Sequence, residues 1–194
     1  MRRTDSRSRG ALLGLAAIAL AAVLAAPGSL RAGAGDNLLT NPGFEIVGPQ
    51  GASTTFTGYG GGGWSSAQDW WVFNNSPGTT STELLPSTCP GGGQYMLHVT
   101  TDGGSNGVGQ IFLPFDTGPD QATAMARIFV ISGTVVIGTG NGGNTGADAH
   151  TRYTGHWEFL RAGNGVSPAN EFIVYAWGGP AEFYVDKCRV AELP

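Results

Sequence analysis

Residues Ala122–Thr139 read ATAMARIFVIS, then Gly133, then TVVIGT. In the first arm Ile128 and Val130 fall on one side, and Arg127 and Phe129 on the other. That period of two belongs to a half-buried strand. Gly133 turns the chain, and Thr134–Thr139 makes a second strand. After Gly35, no stretch keeps apolar residues at i, i+3, i+4 and i+7 without Gly or Pro interrupting, so helix is nearly absent. The chain reads as all-β.

Working outward, the same grammar repeats. Asn37–Thr40 and Phe44–Val47 flank the turn Asn41-Pro42-Gly43, where Pro sets φ and Gly permits positive φ. Gly48–Gly63 reads as a Gly- and Thr-rich loop ending at Trp64. Asp69–Asn74, Ser81–Leu85, Tyr95–Thr100 and Val108–Phe115 read as strands before the opening stretch. Tyr153–Arg161, Glu171–Trp177 and Glu182–Leu193 follow it, after a Gly/Asn-rich loop at Gly140–Ala149. Glycine takes 29 of residues 35–194, far above the usual share of about 7%. Because short aromatic and aliphatic clusters lie between the glycines, it marks turns and broad loops. Nine to ten strands with turn signals between them predict a β-sandwich or jelly roll.

Arg2, Arg3, Arg7 and Arg9 precede an apolar run from Ala11 to Ala26, and Ala32-Gly33-Ala34 supplies a small-x-small cleavage pattern. The run has 16 residues, short of the roughly 20 a membrane span needs. The expectation is a signal peptide at residues 1–34 and a single exported domain at 35–194. It would be secreted and extracellular, or periplasmic where the envelope has that space. Residues 35–194 keep 5 basic and 13 acidic side chains, net −8, with Lys187 the only lysine. Such a surface repels phosphate backbones and anionic lipid heads, which argues against nucleic acid and acidic membranes, and no second apolar stretch reaches spanning length, which argues against membrane insertion. Many arginines with one lysine, beside abundant Gly and Ala, hint at a GC-rich bacterial genome.

Asn37-Leu38-Leu39-Thr40-Asn41-Pro42-Gly43-Phe44-Glu45 at one end, and Phe183-Tyr184-Val185-Asp186 with Val190 at the other, resemble the opening and closing strands of carbohydrate-binding modules of families 4 and 9. Gly107-Val108-Gly109-Gln110, the Ala126–Gly133 strand and turn, and Trp157 fall in the family's order. The chain departs from the pattern in its glycine loops near Gly60–Gly63 and Gly138–Gly146, and in carrying Lys187 after the Asp. The resemblance implies a galactose-binding-like jelly roll that is not an enzyme and binds a polysaccharide or glycan. The alternative is a structural or adhesive surface protein that uses the sandwich for contacts with a protein partner.

Glu45 and Asp186 lie on strands that such a jelly roll brings together, so they are candidate ligands of a structural calcium, a hard cation that takes oxygen donors. The resemblance implies the same site. The competing reading is a solvated Glu45, with Asp186 hydrogen-bonded to backbone N–H groups. Cys89 and Cys188 are the only cysteines, and in an exported protein an even count predicts a disulfide.

Sugar rings present flat C–H faces to Trp and Tyr, while their hydroxyls seek polar side chains. Alternation groups Tyr175 and Trp177 with Ile173, opposite Phe172 and Val174. Adjacent Trp70 and Trp71 must point oppositely, one to the core and one outward. The ligand-binding candidates are therefore Trp71, Tyr175, Trp177, Arg127 and Gln110. Gly138–Gly143 matches G-x-G-x-x-G, but no helix follows it, so it is a loop rather than a nucleotide site. No G-x-S-x-G elbow occurs, and the three histidines lack zinc-ligand spacing.

Overall fold

The alternating segments become antiparallel strands, described in a computed structural model for residues 36–112, 122–141, 144–145, 148–163 and 169–192. In chain order they are β1 (Ser53–Gly58), β2 (Gly61–Trp64), β3 (Trp71–Asn74), β4 (Gly78–Pro86), β5 (Tyr95–Thr101), β6 (Asn106–Ile111) and β7 (Ala122–Ser132). Then come β8 (Val135–Asn141), β9 (Asn144–Thr145), β10 (Ala149–His150), β11 (Trp157–Ala162), β12 (Glu171–Ala176) and β13 (Ala181–Glu192). Among the described residues there is no helix. The first sheet runs β1-β4-β5-β13-β7-β11. The second runs β10-β8-β12-β6-β3-β2, with β9 beside β8. The fold is a β-sandwich of jelly-roll type, as the alternation predicts. The expected signal segment lies outside the described residues.

Between the sheets sits one main core. Leu97 and Val99 of β5, Ile128 and Val130 of β7, and Phe183 and Val185 of β13 come from one side. Val108 of β6, Phe172 and Val174 of β12, and Val135 and Ile137 of β8 come from the other. Trp70 plugs one end, its ring centroid 4.7 Å from Phe44 and 5.8 Å from Phe172. Its indole N–H donates to the Asn41 carbonyl at 3.1 Å, so the polar edge of a fully buried ring is satisfied.

Three local readings change, one being the expected loop Gly140–Ala149, which holds the end of β8, β9 and the start of β10. Asn37–Thr40 and Phe44–Val47 are not strands; only Val47 forms an isolated bridge, to Ala67. The Asn37 side chain ties this segment down instead, donating to the Cys188 carbonyl and accepting from the Val190 N–H, each at 3.0 Å. Left-handed φ falls on Asn41 (45°) and Phe44 (61°) rather than on Gly43. A bulky residue pays strain there, and the burial of the Phe44 ring offsets it.

The expected loop Gly48–Gly63 holds β1 and β2. Threonine is β-branched and favours strands, and hydroxyl pairs bind β1 to β4: Thr54 to Thr82 at 2.9 Å, Thr55 to Ser81 at 3.0 Å and Thr57 to Thr79 at 3.1 Å.

Candidate functional site

On β12 alternation sends Phe172, Val174 and Ala176 into the main core and Ile173 and Tyr175 to the outer face of the second sheet. On β3, Trp71 and Phe73 share that outer face. Register then lines the outer face up in two rows. One is Trp64, Trp71, Gly109, Ile173 and Gly138; the other is Gly62, Phe73, Gly107, Tyr175, Val136 and His150.

The two β6 glycines let the rings lie against the sheet. A Cβ on Gly109 would stand 3.2 Å from the Trp71 indole, and one on Gly107 2.8 Å from the Tyr175 Cβ. The result is a continuous series of rings. Centroid distances are 5.0 Å from Trp71 to Phe73, 6.5 Å from Phe73 to Tyr175, 6.3 Å from Tyr175 to Trp177 and 5.3 Å from Trp177 to His150.

Members of the series differ in what they offer. Phe73 and Tyr175 are buried, and Trp71 is half-buried. Trp177 is 51% exposed, and Trp64, paired directly with Trp71, is 55% exposed. The Tyr175 hydroxyl donates to Asp148 Oδ2 at 3.0 Å. Burial pushes the Asp148 carboxyl above its ordinary pKa, against the pull of that hydrogen bond and of His150. Trp71 Nε1 and Asp148 Oδ1 are buried with no hydrogen-bond partner. The face therefore offers stacking surface at Trp64, Trp71 and Trp177, while the unpartnered Trp71 Nε1 and Asp148 Oδ1 are closed off from solvent.

Trp64 was not among the candidates. Its position after four glycines gives no strand pattern to orient it; only its pairing with Trp71 turns it to this side.

Two candidates lie elsewhere. Gln110 is 1% exposed and faces inward. Its amide clamps Thr40, accepting from the N–H and donating to the carbonyl, both at 2.8 Å, and also donates to the Asp69 carbonyl at 3.2 Å. With its hydrogen-bonding groups held by backbone, Gln110 is a framework residue and not a ligand contact.

Arg127 is half-buried on the outer face of the first sheet, on the opposite side of the sandwich from Trp71 and Trp177. It neighbours a second cross-strand row there, His98, Tyr184, Phe129 and Trp157. The ring spacings in that row are 5.0, 5.8 and 5.8 Å. One ligand groove cannot hold Arg127 and Trp71 together.

Glu45 and Asp186 do come together. A Cβ on Gly43 would lie 3.5 Å from Glu45 Oε1 and 3.9 Å from Asp186 Oδ1. Glu45 accepts from the backbone N–H of Gln94 at 3.0 Å, and Asp186 accepts from Ser87 Oγ at 2.7 Å and from the Lys187 N–H at 2.6 Å. Asp186 pairs with Arg127 on β7, just before a bulge that has Lys187 at φ 52°, and it is fully buried because the Ser87–Gly92 turn and Gly43 pack over it. Burial above all raises the Asp186 pKa, and the Glu45 charge adds to it, while its hydrogen bonds to Ser87 and Lys187 and the Lys187 charge lower it. Two converging carboxylates suit a hard cation. Among the described residues no group of three or more His, Cys, Asp or Glu side chains is placed to hold a metal ion; a cation at this pair would need backbone carbonyls and water for its remaining oxygens.

The expected disulfide is not present. Cys89 and Cys188 are both buried free thiols. Cys188 packs into the main core, whereas Cys89 lies on the Ser87–Gly92 turn, its N–H bonded to Ser87 Oγ. Burial first, then the Asp186 charge, pushes the Cys89 thiol up to about 11, while Arg127 and Lys187 pull it down. Burial raises Cys188 as well. Both are protonated and poorly nucleophilic at neutral pH.

No protein-family profile and no curated protein sequence matches the chain. Among solved structures it is similar to the CBM22-1 xylan-binding domain of Paenibacillus barcinonensis Xyn10C, with 16% identity and a TM-score of 0.51 over 84% of this chain and 99% of that one. It is also similar to the module TmCBM61, solved in complex with β-1,4-galactotriose, at 14% identity and a TM-score of 0.48 over 81% and 99% of the two chains. A third is the family 11 carbohydrate-binding module of Clostridium thermocellum Lic26A-Cel5E, at 11% identity and a TM-score of 0.44 over 74% and 96%. The likeness to the first is one of fold: the chain has the β-sandwich architecture of carbohydrate-binding modules.

Proposed function

We propose that the chain is an exported, non-catalytic carbohydrate-binding module that holds a polysaccharide along the outer face of the second sheet. It is nearest in its terminal sequence motifs to families 4 and 9. The observation that carries this reading is the unbroken ring series from Trp71 to His150. Successive sugars of an extended glycan stack on Trp64, Trp71 and Trp177, and Phe73 and Tyr175 support the platforms from beneath. A calcium ion between Glu45 and Asp186 would fasten the two ends of the domain.

The test is retention of the protein on a panel of insoluble and soluble glycans, with xylan, β-1,4-galactan and mixed-linked β-glucan first. Retention by one class should fall about tenfold or more in Trp71→Ala and Trp177→Ala, since large aromatics anchor such contacts. Thermal stability of Trp177→Ala should stay unchanged because that ring is exposed. Flow-through on every glycan would overturn the reading. It would favour the second one, a surface protein docking through the row His98, Tyr184, Phe129 and Trp157 with exposed Phe159 and Ile131 beside it.

A further inference from the structure

Beyond the aromatic face, the loop that carries the chain from β10 to β11 borders an open surface pocket of about 380 Å³, lined by Gly133, Thr134, Arg152, Tyr153 and His156 with the neighbouring threonines. That volume lies within the roughly 300–1,000 Å³ of small-molecule sites.

The loop is built rather than slack. The Glu158 carboxylate accepts from the N–H groups of Arg152 at 3.1 Å and Tyr153 at 2.9 Å. Val135 N–H donates to Thr151 Oγ1 at 3.0 Å, and Gly155 N–H donates to the Val130 carbonyl at 2.8 Å. Gly155 takes the left-handed φ of 80° that closes the turn. A loop held this way loses little freedom on binding.

We propose that this cavity binds one acidic sugar unit, a uronate, of the glycan that lies on the adjoining aromatic face. This rests on the function proposed above. Three observations point to that chemistry. The Tyr153 ring is 60% exposed, with the His156 ring 5.2 Å away, and offers a stacking platform. Arg152 is exposed and makes no ion pair among the described residues, and no acidic side chain lines the cavity. In a domain of net charge −8, an unpaired guanidinium beside hydroxyl and imidazole donors selects a carboxylate, which its planar fork binds through two parallel hydrogen bonds.

Position links the cavity to the ring series. The Trp177 N–H donates to the carbonyl of the lining residue Thr134 at 2.8 Å. His150, the last ring of the series, immediately precedes Thr151.

The experiment titrates the isotope-labelled full chain with glucuronate, glucose and acetate at fixed ionic strength and follows backbone amides by NMR. Glucuronate should move Arg152, Tyr153 and His156, with glucose and acetate each about tenfold weaker, and Arg152→Gln should remove the preference while leaving the spectrum otherwise intact. Acetate equal to glucuronate would reduce the cavity to a plain anion site, and glucose equal to glucuronate would remove the role of Arg152. Either result overturns the proposal, as would perturbation confined to the Trp71–Trp177 face or absent altogether. Because the probes are small molecules read at the loop, the result is independent of polysaccharide retention and of the Trp71→Ala and Trp177→Ala variants.

Discussion

At the scale of single residues, burial decides which polar side chains are free to meet a ligand. Gln110 joins the Thr40 backbone and the Asp69 carbonyl through three hydrogen bonds in a site closed to water. Gln110→Ala should leave those backbone groups unpaired and destabilise by about 1–3 kcal/mol. Any glycan retention should be unchanged once the variant is folded. Thermal melting together with a retention assay checks both halves; lost retention at unchanged stability would return Gln110 to the binding surface.

The sequence could show Gln110 as a polar residue within a strand, but not which way it faced. Its neighbours Gly107 and Gly109 have no side chains to define an alternation, so the inward direction was hidden. Where alternation is written in large residues, as in Phe172–Trp177 and Ala126–Val130, direction was legible. Alternation groups Tyr175 with Trp177 and Arg127 with Phe129, and each pair does share an outer face.

At the scale of elements, the deciding feature is strand β6. Its glycines at 107 and 109 remove two side chains from the middle of the second sheet, and the Trp71 ring settles over the gap. A methyl group at 109 would sit 3.2 Å from the indole and 2.9 Å from the Phe172 carbonyl oxygen, tighter than packed atoms tolerate. Gly109→Ala should therefore displace Trp71, costing about 1–3 kcal/mol from overpacking. It should also weaken glycan retention as Trp71→Ala does, although residue 109 itself reaches no ligand. Melting and retention of the two variants, measured side by side, test this; wild-type retention in Gly109→Ala would show that the platform does not need the glycine floor.

Strand order was beyond the sequence for a related reason. Alternation says that a segment has two faces, but not which segments share a sheet. Arg127 and Trp71 were accordingly grouped as one set of contacts, although the sheet order puts them on opposite sides of the sandwich. In the same way β1 was hidden, because its stability comes from hydroxyl pairs with β4 rather than from an apolar face.

At the scale of the whole molecule, the question is what fastens the two ends of a domain whose cysteines are not joined. The described residues fall in one compact unit, and its ends meet where Asn37 bonds to the Cys188 carbonyl and Val190 N–H and where Glu45 approaches Asp186. The terminal segments that carry the sequence resemblance are the same residues that make this closure. The carboxylate pair is unfavourable by itself, since burial and the Glu45 charge both resist ionisation of Asp186. A calcium ion bound there would reverse the balance by neutralising both charges.

The proposed site thus predicts a melting temperature that rises with calcium and falls with chelator. A concentration 100-fold above the dissociation constant adds about 2.7 kcal/mol. For a domain of this size that corresponds to a shift on the order of 5–10 °C, at roughly 2–4 °C per kcal/mol. Glu45→Gln should abolish the shift while keeping an oxygen that can accept from the Gln94 N–H. A calcium response surviving in Glu45→Gln would move the ion elsewhere. No response in the unaltered protein would leave Glu45 as a cap for backbone N–H groups and Asp186 as the anchor of the β13 bulge.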